Sequence, residues 1–149
     1  MEATNIKVGL TAAIETKVFN KSSAEEMGSG DLDVYATPAM VSLMERCALS
    51  AVSLHLPKGY TTVGTSINVK HIAATPIGMK VRAVAELVSV EGRKLTFKVE
   101  AYDSREKIGE GEHERYIVES AKFREKVYGK LNLWNKKESL KFDGEVFGI

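Results

Sequence analysis

The chain has 149 residues, a formal net charge of +1, 44% hydrophobic and 28% charged residues, and one cysteine. That length suits one domain with a sizeable core, and the near-neutral balance leaves no whole-chain electrostatic footprint for nucleic acid. No run reaches transmembrane length and no basic region followed by an apolar core opens the chain. A single cysteine excludes an internal disulfide framework, so a cytoplasmic protein in reducing surroundings is expected.

Residues 6–18 alternate. Ile6, Val8, Leu10, Ala12, Ile14, Thr16 and Val18 share one parity, while Lys7, Thr11, Glu15 and Lys17 share the other. This is the pattern of a strand with one buried face. Residues 20–33 are rich in Ser, Gly, Glu and Asp and read as a loop, with a short helical turn at 24–27. The segment from Thr37 to Leu56 is the main helix. Thr37 suits the N-cap and Pro38 the first helical position, while Pro57 and Gly59 mark the end. The helix is apolar on most faces, which predicts burial. Glu45 is the anomaly, because it shares a face with Val41, Ala48 and Val52. Cys47 reads as a small buried hydrophobe rather than a catalytic thiol.

After the helix the period returns to two. From Thr61 to Ile72, the odd positions Val63, Thr65, Ile67, Val69 and His71 oppose Thr62, Gly64, Ser66, Asn68 and Lys70, so His71 extends the apolar face. Residues 73–78 read as a connection. Met79, Val81, Ala83, Ala85 and Leu87 mark a strand, and Glu91-Gly92 a tight turn. Leu95, Phe97, Val99 and Ala101 mark the next strand. A turn at 103–107 leads to a final strand over 108–118. Strand, helix, then four strands predict an α+β fold, an antiparallel sheet of about five strands wrapped around the helix. Dimerisation or loop packing would cover the rest of the helix. Residues 120–130 read as a charged helix with Phe123, Val127 and Leu131 on one side. The domain is accordingly placed at 1–130. Residues 131–149, with Trp134, Phe142 and Phe147, form a C-terminal tail or arm.

Glu45 and His71 are ionisable groups on apolar faces of elements expected to pack together. A desolvated carboxylate beside an imidazole makes an acid/base pair near neutral pH. Thr37 stands at the helix N-terminus, where amides can hold a developing oxyanion. Together these residues form a constellation for acyl transfer or hydrolysis. Each also has a plain structural reading: a cap, a carboxylate paired across a dimer, and a satisfied core histidine. His55 sits near the helix C-terminus, where the dipole favours a cation. His113, among Glu112, Glu114 and Arg115, reads as solvated, and Arg115 by default as a surface charge. Gly64 in a strand marks a bulge or a close approach by ligand. Metal-ligand spacings, a phosphate-binding glycine loop and a Gly-x-Ser-x-Gly elbow are all absent.

The stretch from Ala36 to Glu45 (Ala-Thr-Pro-Ala-Met-Val-Ser-Leu-Met-Glu), followed by Gly64-Thr-Ser-Ile-Asn-Val-Lys-His71, resembles the hotdog-fold thioesterases of the fluoroacetyl-CoA thioesterase type. The resemblance runs from about residue 5 to residue 120. It implies a hotdog fold, a curled sheet around a long central helix, and a homodimer with catalytic sites near its interface. It also implies hydrolysis of an acyl-CoA thioester to free acid and CoA. By position, Thr37, Glu45 and His71 match the catalytic residues of that family, and Gly64 and Arg115 match substrate-binding ones. It implies no metal and no cofactor, since CoA belongs to the substrate, and no nucleic-acid or membrane partner. The segment Asp31-Leu32-Asp33-Val34-Tyr35 lacks the phenylalanine gate of the fluoroacetyl-specific enzyme, which points to a broader acyl-CoA thioesterase. Two other readings use the same scaffold: a non-catalytic module that binds CoA or acyl-CoA, and an acyl-CoA dehydratase or hydratase.

Overall fold

The computed structural model describes residues 5–141, with side chains as far as residue 132. Five strands, β1 (Thr11–Lys17), β2 (Tyr60–His71), β3 (Lys80–Glu91), β4 (Lys94–Asp103) and β5 (Lys107–Glu119), form one antiparallel sheet in the order β1-β3-β4-β5-β2. Three α-helices accompany it: α1 (Ala24–Met27), α2 (Thr37–Ser53) and α3 (Ser120–Lys141). The expected strand-helix-strand order and the short turn at 24–27 are both present.

Helix α2 packs on one face of the sheet. Its buried stripe, Met40, Leu43, Met44, Cys47, Ala48, Ala51 and Val52, follows the helical period. It meets the alternate residues Val81, Ala83, Ala85 and Leu87 of β3 and Leu95, Phe97, Val99 and Ala101 of β4, all fully buried. Each larger side chain among these contributes about 1.5–3 kcal/mol by leaving water. The opposite stripe, Ser42, Arg46, Ser50 and Ser53, is exposed. The helix is therefore amphipathic rather than apolar on most faces. Cys47 is buried and its thiol donates to the Ala12 carbonyl at 3.2 Å, while burial pushes its pKa up. It is a packing residue.

Several boundaries differ from the sequence reading. β1 begins at Thr11 rather than Ile6, because Gly9 turns the chain with a φ of +103° and leaves Val8 62% exposed. Ala36, not Thr37, is the N-cap of α2, with φ −76° and ψ 139°. Thr37 is the first helical residue and Pro38 the second, still within the first turn where no amide proton is needed. The helix ends at Ser53, three residues before the expected Leu56. Helix α3 runs through to Lys141, so the expected division at 130/131 falls inside a helix. The Trp134 side chain, and Phe142 and Phe147 of the expected arm, lie outside the described residues. None of the described helices is long and apolar enough to cross a membrane.

The correction with most consequence is in β2. Gly64 pairs with Arg115, but Ser66 pairs with Glu114, so one extra residue is inserted at 65. Such a bulge reverses the side-chain parity along the strand. Before it, Thr62 and Gly64 face the helix. After it, Val69 and His71 do, with Ile67 on the same parity. The single apolar face expected from Val63 to His71 does not exist.

Candidate active site

The N-terminus of α2 and the end of β2 meet at Thr37 and His71. Because Thr37 is not the cap, its hydroxyl is free of the helix amides. It lies 2.8 Å from His71 Nδ1 instead. The first-turn amides of Ala39 and Met40 both donate to the Ala36 carbonyl at 3.0 Å, and the Ala36 amide donates to Ser22. With no amide on Pro38, the Thr37 amide is the group left to face a developing oxyanion here. Burial lowers the His71 pKa below its ordinary 6.5, so the ring is neutral at neutral pH. Its Nε2 is buried and unpaired among the described residues. A neutral ring accepts at one nitrogen at a time; with its proton on Nε2, Nδ1 can serve as a base toward the Thr37 hydroxyl. Tyr35, 3% exposed, meets the ring edge-on with centroids 6.4 Å apart. Burial pushes the Tyr35 phenol up to about 12, so it packs rather than transfers protons. Thr37, His71, Tyr35 and Ala73 line a cavity of about 320 Å³.

A second group lies two helical turns further on. Arg115 is 6% exposed; its Nε donates to Thr62 Oγ1 at 2.7 Å and its Nη2 to the Thr62 carbonyl at 2.9 Å. Its Nη1 donates to His113 Nε2 at 3.1 Å. Glu45, half-buried on α2, brings its carboxylate to the same place. A Cβ on Gly64 would stand 2.9 Å from Glu45 Oε2 and 3.4 Å from Arg115 Nη1. Gly64 therefore leaves open the floor of a niche between a carboxylate and a guanidinium. Burial lowers the Arg115 pKa and the Glu45 charge opposes this; an arginine stays cationic throughout. Glu45, Gly64, Arg115, Ser42 and Arg46 line a separate cavity of about 370 Å³. A third cavity, about 640 Å³, borders both: it shares Tyr35 with the first and Ser42 and Arg46 with the second.

The five candidate residues thus form two groups within one chain. Thr37 joins His71, and Glu45 joins Gly64 and Arg115. Within one chain Glu45 and His71 stand apart: eight residues of helix separate Thr37 from Glu45, about 12 Å of rise. Two expectations are overturned. His113 is 1% exposed rather than solvated, and Arg115 is interior rather than a surface charge. Both occupy the inward parity of β5 with Ile117, and the charged residues at the alternate positions hid this in the sequence. Thr62 and Tyr35 were not singled out. Thr62 shares the inward parity with Gly64 once the bulge is known.

A curled antiparallel sheet packed on one long helix is the hotdog architecture, and the hydroxyl, imidazole and carboxylate along that helix make it a candidate hydrolase of carbonyl compounds. The family model described as fluoroacetyl-CoA-specific thioesterase matches residues 18–121. The fluoroacetyl-CoA thioesterase of Streptantibioticus cattleyicolor is 46% identical over 95 residues, 64% of this chain and 68% of that protein. A solved structure of the fluoroacetyl-CoA thioesterase FlK superposes with a TM-score of 0.79 at 36% identity, covering 85% of this chain and 98% of that one. A Thermus thermophilus protein described as a thioesterase superfamily member gives a TM-score of 0.80 at 32% identity, over 89% of this chain and 98% of that one. The chain belongs to the fluoroacetyl-CoA-specific thioesterase family.

Proposed function

We propose that this protein hydrolyses an acyl-CoA thioester to the free acid and CoA, at a site completed by two copies of the chain. What carries the reading is the hydroxyl of Thr37 bonded at 2.8 Å to a half-buried, neutral imidazole. That pair can activate a nucleophile beside a carbonyl. Water adds to the acyl carbon, the carbon–sulfur bond breaks, and the proton returns to the thiolate of CoA. Two nucleophiles suit the pair: the threonine hydroxyl itself, or a water held beside that hydroxyl, since the buried Nε2 admits none. An acyl group retained on Thr37 in quenched reactions, seen as a mass shift, distinguishes the first from the second. CoA arrives with the substrate, and these steps use no metal or redox group.

The second copy supplies Glu45 and Arg115. β2 is an outer strand, paired on one side by β5, and its residues 64–68 are exposed. A twelve-residue open edge is a template for pairing with another strand. Gly64 and His71 lie seven positions apart, about 20 Å of strand allowing for the bulge. A two-fold axis at Asn68 pairs β2 with itself and sets His71 opposite the bulge at 64–65 of the second copy. Because the bulge reverses parity, His71 and Gly64 then share the helix face. The Glu45 carboxylate of one copy thereby reaches the Thr37–His71 pair of the other. This is an isologous interface that leaves each site incomplete in a monomer.

The experiment is release of free CoA from short, medium and aromatic acyl-CoAs, combined with subunit complementation. His71→Ala and Glu45→Gln should each lower turnover by about two to four orders of magnitude. Mixed after unfolding and refolding together, they form hybrid dimers carrying one intact site, and about a quarter of the wild-type activity returns. No recovery places all three groups in one chain. Binding of CoA esters without any hydrolysis returns the protein to a binding module. No fluoroacetyl preference is proposed, because Asp31, Leu32 and Asp33 are exposed and Tyr35 is packed inside.

A further inference from the structure

His113 has no part in the chemistry above, yet it is almost fully buried with both ring nitrogens engaged. Nδ1 lies 2.7 Å from the Ser66 carbonyl and Nε2 lies 3.1 Å from Arg115 Nη1. A carbonyl only accepts and a guanidinium only donates. The ring must therefore be neutral, with the proton on Nδ1 and the lone pair on Nε2. Ser66 follows directly on the bulge, so the same backbone irregularity that turns β2 also anchors this ring. Phe97 of β4 packs against it with centroids 6.3 Å apart.

We infer that His113 is a positioning residue that fixes the Arg115 guanidinium, through the single acceptor Nε2, at the Gly64 niche where it meets an oxygen of the acyl-CoA. The inference rests on the proposed thioesterase reading. Three of the five N–H groups of Arg115 are spent on Thr62 and His113. The pair left over lies one on each terminal nitrogen, and Nη1 is the one beside Gly64. Without the acceptor, the two bonds to Thr62 alone would hold the guanidinium, and its Nη1 end, the one facing the niche, would lose its anchor. The charges around the ring are Arg115 and Glu114 on β5 and Glu45 on α2. Protonating Nε2 would set an N–H against the guanidinium and expel it. Burial, with Arg115 adding to it, keeps the ring below its ordinary pKa.

The test separates the two nitrogens. His113→Gln can offer an acceptor near the Nε2 position, whereas His113→Asn offers a donor to Ser66 and nothing to Arg115. In CoA-release assays His113→Asn should raise KM about tenfold or more with kcat little changed, and His113→Gln should stay within about threefold of wild type. Nitrogen-15 NMR of the full chain labelled on its three histidines should show the signals lost in His113→Gln as an Nδ1-protonated neutral ring at neutral pH. An Nε2-protonated or charged ring, or a wild-type KM in His113→Asn while Arg115→Ala is impaired, overturns the inference alone. A wild-type KM in Arg115→Ala overturns the substrate-binding role of the arginine, and the positioning role with it.

Discussion

Replacing Gly64 by alanine adds one methyl group at the floor of the niche. The backbone permits it, since Gly64 is not among the glycines with positive φ. Alanine in a strand gains about 0.5–1 kcal/mol over glycine from the smaller freedom of the unfolded chain. Against this, the new Cβ would stand 2.9 Å from Glu45 Oε2 and 3.2 Å from His113 Cε1, where ordinary contact begins at 3.4 Å. The carboxylate must withdraw by about 0.5 Å, and overpacking of this kind costs about 1–3 kcal/mol. Because Glu45 is half-buried and its tip can swing, the cost falls at the low end. The two effects nearly offset, so the melting temperature should move by only a few degrees. Activity should not be spared. A reacting group displaced by a fraction of an ångström to an ångström costs about tenfold to a hundredfold in kcat/KM. Thermal unfolding and thiol-detected CoA release on one preparation give both numbers. A folded Gly64→Ala protein with wild-type kcat/KM would refute the placement of Glu45 at the reacting centre.

Thr37→Ser keeps a hydroxyl within reach of His71 and should retain most turnover. Thr37→Ala should lose about a hundredfold or more in kcat; equal rates for the two variants would remove the hydroxyl from the mechanism. His71 and His113 both titrate below 6.5 in the folded protein. The unfolded chain then binds protons first on acidification, so the stability these rings contribute is full above about pH 6.5 and declines as pH falls through that value. Urea midpoints should drop between about pH 7.5 and pH 5, and a flat profile would contradict the burial of neutral rings. Asn68→Cys should form a disulfide-linked dimer on mild oxidation, because residues facing each other across an antiparallel pair lie about 4.5–5.5 Å apart at Cα. Cys47 is buried and should stay silent, so a protein that remains monomeric on a non-reducing gel argues against a two-fold axis at that residue.

Much of the fold was legible because its signals are local. Strand β3 alternates from Val81 to Leu87, ahead of its irregularity at Val88, and β4 alternates from Leu95 to Ala101; every residue of the apolar parity in these two runs is fully buried. The turn at Gly92, with φ +62°, carries its own residue chemistry. Thr37, Glu45 and His71 were legible as anomalies, a hydroxyl at a helix start and two ionisable groups on apolar faces. What was hidden depends on pairing between distant strands. The bulge in β2 is defined by its partner β5, so no periodicity within 60–71 discloses which face each residue takes. His113 and Arg115 are flanked by Glu112 and Glu114, and a strand whose outer face is charged conceals charges on its inner face. Thr37 was misread as a cap because Thr-Pro suits the cap and first position as well as the first and second. Only the tertiary contact with His71 decides between them.

That shift of one residue and the bulge of one residue together organise the site. Had Thr37 been the cap, its oxygen would accept from an amide of the first turn and His71 would lack its partner. Had β2 run without a bulge, Gly64 and His71 would lie on opposite faces, being of opposite parity. One of the two groups would then point away from α2. The inserted residue brings both to the helix side, yet about 20 Å of strand still keeps them apart in one chain. Such a strand, open along its outer edge, would bring its two ends together by pairing with its own copy in the opposite direction, as proposed above. The division of the candidate residues into two groups is therefore the arrangement that antiparallel self-pairing of β2 would complete, twice over, about a single axis.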